Sequence, residues 1–223
     1  MKKVKIIGAI MLVWLFSACD QVESVEPIEG GIVRLGLSID HQISIKHGRV
    51  AGISNNELQV AIYDAESQQK VKYFEHFSDI SDGIHLPVGN YYIRTFNLET
   101  PKAAAFDQPY YTGKSEEFGV TTGSNQSIDL MCSLANNLVS VAFDSSIFSQ
   151  YDSYEVIVKA PRGELTFSSL ESRVGYFEVA PLIVTAKLIR GETVSTVSRV
   201  ITDVSAQTYY KLRVSESSVS VAL

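Results

Sequence analysis

The amino-acid sequence predicts an all-β protein built from two antiparallel β-sandwich domains in tandem. Apolar and polar residues alternate with a period of two through most of the chain, which is typical of half-buried strands. No segment carries a helical apolar stripe longer than two or three turns. The alternating segments begin a second series past the middle of the chain, and each series provides about seven strands, as a small β-sandwich requires.

Turn-forming residues separate the strands of the first series. Pro87 fixes φ and Gly89 permits a positive φ, so a tight turn is expected between residues 86 and 91. A second group of turn formers covers residues 121–125. The strands predicted in the first series are residues 32–39, 58–63, 70–77, 84–86, 91–96, 117–120 and 127–132.

The two series meet near residues 134–137, so the predicted domains are residues 31–134 and 135–223. The dipeptide Asn136-Asn137 suits a hairpin turn as well as a domain joint. The short join predicts domains that touch, and one large sandwich is the alternative. The remaining predicted elements are a short helical turn at residues 148–151 and strands at residues 138–143, 154–158, 163–167, 175–179, 182–189, 194–201 and 209–214.

The N-terminus is typical of a secretory signal peptide. Three lysines among the first five residues precede an apolar run over residues 6–16, and the small residues Ser17 and Ala18 stand before Cys19. The run is shorter than the roughly 20 residues that cross a bilayer, so a transmembrane helix is the weaker alternative. We predict that residues 1–18 are removed on export.

Cys19 is the predicted lipidation site. Residues 15–19 resemble the bacterial lipobox, with Phe16 in place of the usual Leu at the third position before the cysteine. The thiol would become a thioether to diacylglycerol, and two or more acyl chains give stable attachment to a membrane. An ordinary signal peptide with a chance cysteine is the alternative.

Residues 19–30 are acidic, with no basic residue and no apolar period, and so predict a flexible tether. Acidic residues soon after the cysteine resemble the signal that sends lipoproteins of Bacteroidetes to the cell exterior. Asp20, directly after the cysteine, resembles the inner-membrane retention signal of other bacteria. We expect a lipid-anchored, surface-exposed protein of the outer membrane, with the inner membrane as the alternative.

Composition and motifs argue against several functions. The net charge of −6 offers no basic face to nucleic acid. No phosphate loop, nucleophile elbow or catalytic carboxylate pair is recognisable, so we predict that the protein is not an enzyme and uses no cofactor or metal. Cys132, in a predicted strand, is expected to be a buried structural thiol. No two of the four histidines have metal-ligand spacing; they are His41, His47, His76 and His85.

Aromatic residues crowd the long connection at residues 101–112, which supplies the candidate contact site for a ligand or partner. Phe106, Tyr110 and Tyr111 stand there beside Asp107. Tyrosine beside amide and carboxylate groups is suited to stacking on sugars or docking a partner. The alternative, which we favour, is a loop that folds back and buries its aromatic rings over the end of a sandwich.

Three motifs resemble a known family. They are Leu-Pro-Val-Gly-Asn-Tyr at residues 86–91, Ala-Phe-Asp-Gln-Pro-Tyr-Tyr-Thr-Gly at residues 105–113, and Leu-Met-Cys-Ser-Leu-Ala-Asn-Asn-Leu-Val-Ser-Val at residues 130–141. Together they resemble the Bacteroidetes lipoprotein domain of unknown function 4493, from about residue 31 to the C-terminus. That family is similar to fimbrillin-like anchor and accessory proteins, which are tandem β-sandwiches of transthyretin-like type. The resemblance implies a cell-surface, fimbria-associated lipoprotein and carries over no catalytic residue.

Two functions are therefore expected. The first is a structural or adhesive surface protein, whose partners are the membrane, through acylated Cys19, and fimbrial subunits. Residues 214–223 alternate as a strand would, and we favour the last edge strand of the second domain over a strand donated to another subunit. The second function is a glycan-binding surface module that helps to capture polysaccharide through residues 101–112.

Overall fold

The computed structural model describes residues 29–40 and 52–223. Within them the protein is all-β, as predicted, with one short α-helix and two 3-10 turns, Asn55–Glu57 and Phe77–Asp79. The signal peptide, Cys19, His41 and His47 lie outside the described residues. The strands and the helix are β1 (Gly30–Asp40), β2 (Gln59–Asp64), β3 (Lys70–Phe74), β4 (Ile84–Pro87), β5 (Gly89–Phe96), β6 (Ala104–Phe106), β7 (Tyr111–Lys114), β8 (Phe118–Val120), β9 (Asn125–Leu134), β10 (Asn137–Phe143), α1 (Ser145–Gln150), β11 (Ser153–Ala160), β12 (Gly163–Ser168), β13 (Gly175–Phe177), β14 (Leu182–Arg190), β15 (Thr193–Ile201), β16 (Tyr209–Val214) and β17 (Val219–Ala222).

Apart from β6, the strands of the N-terminal half (residues 29–134) form one sheet. Its strand order is β3-β2-β5-β7-β9-β1-β4, and β8 also pairs with β5. The pair β1–β9 is parallel, whereas the sequence predicts antiparallel pairing throughout. A hairpin forces its two strands to run antiparallel, but β1 and β9 are separated by most of the half, so no turn sets their relative direction.

The C-terminal half (residues 135–223) forms two sheets. Their strand orders are β17-β16-β10-β13, extended by β6, and β12-β11-β14-β15. The pair β10–β16 is again parallel. The two halves repeat one connectivity, because β3-β2-β5 corresponds to β12-β11-β14 and β4-β1-β9 corresponds to β13-β10-β16.

Alternation along the strands produces two clusters of buried side chains. In β14, for example, Leu182, Val184, Ala186 and Leu188 are buried while the residues between them are more exposed. The first cluster lies in the N-terminal half and the second in the C-terminal half. Burial of apolar area, worth roughly 25 cal/mol per Å2, is the main stabilising term in each.

Each cluster also contains residues from the other half of the chain. Leu138 and Tyr176, from the C-terminal half, are buried in the first cluster. Ala104 and Phe106, from the N-terminal half, pack against the second cluster. The two halves are therefore in direct contact. The predicted boundary between residues 134 and 135 stays a prediction.

The join between the halves is short and largely buried. Only Ala135 and Asn136 separate β9 from β10, and Asn136 and Asn137 are 4% and 0% exposed. The Asn136 side chain accepts a hydrogen bond from the Tyr110 N–H at 2.6 Å. A hairpin turn at these asparagines, one of the two predicted possibilities, is therefore wrong.

The expected tight turn at residues 86–91 is also corrected. β4 pairs with β1, whereas β5 pairs with β2, β7 and β8, so the segment passes from one pair of strands to another. Gly89 does not adopt a positive φ. The Tyr91 hydroxyl donates to the Pro87 carbonyl oxygen at 3.1 Å, and a Cβ on Gly89 would lie 3.0 Å from that hydroxyl. Glycine suits this position because the Tyr91 side chain folds back over it and leaves little room for a Cβ.

The sequence missed two strands and misplaced the helix. β6 and the start of β7 lie inside the connection that was predicted as a loop at residues 101–112. The helical turn predicted at residues 148–151 overlaps α1, which begins three residues earlier and ends one residue earlier. Among the described residues, no helix is long and apolar enough to cross a membrane.

Candidate functional site

The aromatic connection that was predicted as a contact site crosses from one half of the protein to the other. β6 pairs antiparallel with β13, with Phe106 opposite Gly175. The Glu178 N–H extends this pairing by donating to the Ala103 carbonyl oxygen at 2.8 Å. This crossing segment (residues 98–110) therefore places an edge strand on a sheet of the C-terminal half.

Phe106 packs against the second cluster. Its ring meets Phe167 edge to face, with centroids 5.1 Å apart, and the Arg173 guanidinium carbon lies 4.6 Å from the Phe106 centroid. A Cβ on Gly175 would lie 2.8 Å from the Phe167 ring, so glycine leaves room for this arrangement. Arg173 is held by Glu171 at 2.7 Å, and hydrogen bonding to Arg173 lowers the pKa of Glu171 to about 2.

Asp107 and Tyr110 follow Phe106 at the end of β6. Asp107 is exposed and has a φ of 51°, a left-handed conformation that aspartate tolerates better than most residues. Its N–H donates to the Val174 carbonyl oxygen at 3.1 Å. Tyr110 is half-buried, and its carbonyl oxygen accepts a hydrogen bond from the Ala135 N–H at 2.8 Å.

Tyr111 is a core residue of the first cluster and is 1% exposed. Burial raises the pKa of its hydroxyl, and the negative charge of Asp40 raises it further. Burial also raises the pKa of Tyr176, with smaller contributions from Tyr111, Asp107 and Tyr209, to about 12. Both tyrosines are therefore neutral groups inside the protein at ordinary pH.

The structure separates the four predicted contact residues. Phe106 packs against the second cluster and Tyr111 lies in the first, in agreement with the favoured alternative that this connection buries its aromatic rings. A contact role for the exposed Asp107 and the half-buried Tyr110 stays a prediction.

The Asn97 side chain links the two ends of the crossing segment by hydrogen bonds. Its side-chain NH2 donates to the Pro109 carbonyl oxygen at 2.8 Å, and its side-chain oxygen accepts from the Tyr111 N–H at 2.8 Å. The sequence reading missed Asn97 and the matching role of Asn136. The available signal was weak, because asparagine is common wherever a side chain replaces a backbone partner at a strand end.

Cys132 is a free thiol with no exposed surface, as the sequence predicts. Its sulfur contacts the Thr95 hydroxyl. Burial raises the pKa of the thiol, and the Thr95 hydrogen bond acts in the opposite direction. Because the thiolate is the nucleophilic form, both the burial and the raised pKa disfavour reaction of this thiol in the folded protein. In the described part of the chain, no three His, Cys, Asp or Glu residues come together as a metal site would require.

The C-terminal tail supplies the last strand of its own sheet. β17 pairs antiparallel with β16, and Val219 is 4% exposed. The Arg199 guanidinium donates to the Val219 carbonyl oxygen at 3.0 Å and ties the tail to β15. In this chain the tail is thus the edge strand that the sequence favoured over a donated strand.

The amino-acid sequence matches a known protein family. A family model described as a domain of unknown function, DUF4493, matches residues 29–221, which is most of the sequence. The chain belongs to the DUF4493 family. The resemblance carried by the three sequence motifs is therefore confirmed. No curated protein matches the chain.

Several solved structures are similar to this DUF4493 chain at low identity. One is a protein of Bacteroides thetaiotaomicron provisionally named an adhesin, with 11% identity and a TM-score of 0.49 over 85% of this chain and 92% of the other. A fimbrial assembly protein of Parabacteroides distasonis has 8% identity and a TM-score of 0.48, covering 87% and 98%. A Bacteroides thetaiotaomicron protein provisionally named polysaccharide-binding has 10% identity and a TM-score of 0.47, covering 85% and 95%.

The three motifs occupy structural positions in this DUF4493 chain. Residues 86–91 hold the Tyr91 side chain over Gly89. Residues 105–113 contain the end of β6 and most of β7, and residues 130–141 run through the buried join from β9 into β10. The motifs therefore mark the places where the two halves are tied together and where the chain passes between strand pairs.

Proposed function

We propose that this DUF4493 chain is a non-enzymatic, lipid-anchored cell-surface protein with a structural or adhesive role, associated with fimbriae. In this proposal its two halves are tandem β-sandwiches of the fimbrillin-like type. Acyl chains on Cys19 attach it to the outer membrane, and its partners are fimbrial subunits.

The crossing segment is the observation that carries the proposal. A protein that holds a partner to a membrane transmits force between its anchor and that partner. A joint of two residues alone would let the halves pivot. Here β6 pairs with β13, Asn136 binds the Tyr110 backbone, and each cluster receives side chains from the other half. These cross-connections suit a load-bearing connector better than a hinged enzyme.

The predicted anchor and the start of the fold are close in sequence. β1 begins at Gly30, so residues 19–29 separate the fold from the anchor. An extended chain of this length spans at most roughly 40 Å, at 3.3–3.6 Å per residue. A module held this close to the membrane reaches distant surfaces only through a partner, as expected for an accessory component of a longer structure.

Protease shaving of intact cells, with mass spectrometry of the released peptides, tests location and anchor together. We expect peptides from residues 52–223 to be released from intact cells, and a Cys19→Ala variant to leave the membrane fraction. Release only after lysis would contradict a surface location. Unchanged membrane attachment of Cys19→Ala would contradict lipidation.

Fimbrial association is tested by isolating fimbriae from cells that carry or lack this chain. Co-isolation with fimbriae, and shorter or detached fimbriae in its absence, are the expected results. Normal fimbriae without any bound chain would contradict the fimbrial role and leave surface location intact.

A glycan-binding surface module is the second candidate function. The observation that favours it is the exposed Asp107 next to the half-buried Tyr110 at the end of β6. Titration against a glycan panel, with Tyr110→Ala and Asp107→Ala, tests this site. Tyr111→Ala is unsuitable because Tyr111 belongs to the core, so its replacement would disturb the fold.

A further inference from the structure

Two exposed cations lie directly opposite each other on the outer face of the N-terminal sheet. Arg94 in β5 and Lys114 in β7 are partners in the antiparallel register, and both are exposed. Directly opposed side chains on one face of a sheet stand about 4.5–5.5 Å apart at Cβ. A like-charged pair in this position destabilises a sheet, so the pair calls for an explanation other than stability.

Within the described ranges no carboxylate forms an ion pair with Arg94 or Lys114. Three carboxylates line an adjoining cleft with Lys114, namely Glu116, Glu117 and Asp129. The ion pairs and hydrogen bonds of residues 29–40 and 52–223 include neither the Arg94 guanidinium nor the Lys114 ammonium. The neighbours of Arg94 and Lys114 across the face are Ala61, in register with Arg94, and Met131, which lines the same cleft as Lys114. The two cations therefore carry positive charge that no ion pair compensates, on a chain whose net charge is −6.

A stack of fixed side chains positions Lys114. Its ammonium lies 4.3 Å from the centroid of the Tyr92 ring. Tyr92 stacks on Tyr63, with centroids 5.1 Å apart and planes within 7°, and its hydroxyl donates to the Gln68 side-chain oxygen at 2.9 Å. Because these rings are already ordered, binding a ligand at Lys114 costs little further conformational entropy.

The pair lines a shallow cleft of about 470 Å3 that is open to solvent, a shape that suits one unit of a polymer running across the surface. Its walls combine cations, hydroxyl groups, an aromatic ring and an apolar side chain. Met131 lies in β9 and is 64% exposed there, between Leu130 and Cys132, which are buried on the other face of the sheet. The residues that line the cleft include Tyr92, Arg94, Thr112, Lys114, Met131 and Ser133.

We propose that this cleft binds an acidic sugar unit of a polysaccharide, bearing a carboxylate or a sulfate. Arg94 presents the planar fork that pairs with such anions in a bidentate manner, and Lys114 adds a point charge beside it. The Ser133 hydroxyl can donate to or accept from sugar hydroxyls. The Thr112 hydroxyl donates to the Thr95 carbonyl oxygen at 3.0 Å and can accept from a sugar hydroxyl, and Met131 supplies an apolar contact. The proposal rests on the glycan-binding candidate function and moves its site from the crossing segment to this cleft.

Affinity measurements with three polysaccharides test the proposal on the complete mature chain. Polygalacturonate supplies carboxylates, dextran sulfate supplies sulfates, and unmodified dextran is the neutral control. We expect binding to one or both acidic polymers, no binding to dextran, and at least tenfold weaker binding at about 0.5 M salt, because ions screen the contact. Arg94→Glu should weaken acidic-polymer binding by at least tenfold. Preference between the two acidic polymers identifies the acidic group.

Lys102→Glu is the matched control, because it makes the same change in net charge at an exposed residue of the crossing segment. It should change the affinity by less than twofold. Arg94→Glu also places opposite charges in register with Lys114, so its melting temperature should equal or exceed that of the wild type. Loss of binding with undiminished melting temperature excludes unfolding as the cause.

Three results would overturn the proposal: no binding to either acidic polymer, equal binding to dextran, or equal weakening by Arg94→Glu and Lys102→Glu. None of these results bears on surface location or fimbrial association, which cell shaving and fimbria isolation decide separately. A surface-exposed chain that ignores acidic polymers would keep the structural role and lose this site.

Discussion

The N-terminal and C-terminal halves share one connectivity but close their sheets differently. In the N-terminal half, β7 pairs with both β5 and β9, and the sheet is continuous. In the C-terminal half, the corresponding groups of strands remain two separate sheets. The N-terminal half therefore completes its own sheet, whereas the C-terminal half takes its edge strand, β6, from the other half.

Because of this difference, the two halves are connected through β6. An unpaired edge strand is a liability, because its free N–H and C=O groups invite pairing with other chains. The crossing segment covers the β13 edge and brings Phe106 into the second cluster. The comparison predicts an asymmetric dependence, in which the C-terminal half needs the N-terminal half more than the reverse.

Separating the two halves is the change from which we expect the largest loss of stability. We expect residues 29–134 to fold alone with a lowered melting temperature, and residues 135–223 to be largely unfolded, because whole domains are stable by only about 5–15 kcal/mol. Circular dichroism and thermal melts measure this. Adding a peptide of residues 98–110 should restore structure to the C-terminal half. Independent folding of residues 135–223 without the peptide would refute the dependence.

Phe106→Ala should weaken the connection with a single substitution. Loss of the ring from the second cluster should lower the free energy of unfolding by about 2–3 kcal/mol, below the full range for a wholly buried phenylalanine because Phe106 is only half-buried. Urea denaturation provides the measurement. Phe148→Ala is the control, because its side chain is 58% exposed, and it should cost less than about 0.5 kcal/mol.

Asn136→Ala tests the buried join between the halves. The substitution removes the acceptor of the Tyr110 N–H and a donor to the Phe177 carbonyl oxygen, 3.4 Å away. Leaving buried backbone groups without partners should cost about 2 kcal/mol. Asn56→Ala, in an exposed 3-10 turn, is the matched control and should be near neutral in the same denaturation experiment. Similar losses from the two substitutions would argue against a specific role for the join.

Tyr176 should make stability fall at high pH. Below pH 10, folded and unfolded chains both keep the phenolic proton, and stability does not depend on this group. Between pH 10 and about 12 the unfolded chain loses the proton while buried Tyr176 keeps it, so unfolding becomes more favourable. The loss should reach about 1 kcal/mol at pH 11. Tyr176→Phe should flatten this part of the stability profile, and an unchanged slope would show that other groups cause it.

The long strands could be predicted because their burial is periodic. The buried residues of β14 alternate strictly, and the predicted bounds, residues 182–189, differ from the observed strand by one residue. β6 could not be predicted in this way. It has three residues, all half-buried, and it pairs with a strand about seventy residues later in the chain. Its existence depends on a long-range partner that no local pattern announces.

The candidate site shows the same limit. The sequence marked Phe106 and Tyr111 as unusual aromatic residues, but not which core each would enter. The sequence alone does not single out Arg94 and Lys114, because exposed cations are common in strands. Only the strand register places the two side chains opposite each other. Likewise, the role of Gly89 follows from the position of the Tyr91 hydroxyl rather than from φ.

The central claim is that β6 completes the β13 edge, and hydrogen exchange with mass spectrometry on the two halves in one chain tests it most directly. We expect slow exchange at Glu178, whose N–H is donated to Ala103, and at the paired residues of β13. In Phe106→Ala, β6 and β13 should lose protection together, while β14 keeps its own. Unchanged protection of β13 when β6 exchanges freely would contradict the claim that the N-terminal half supplies an edge strand to the C-terminal half.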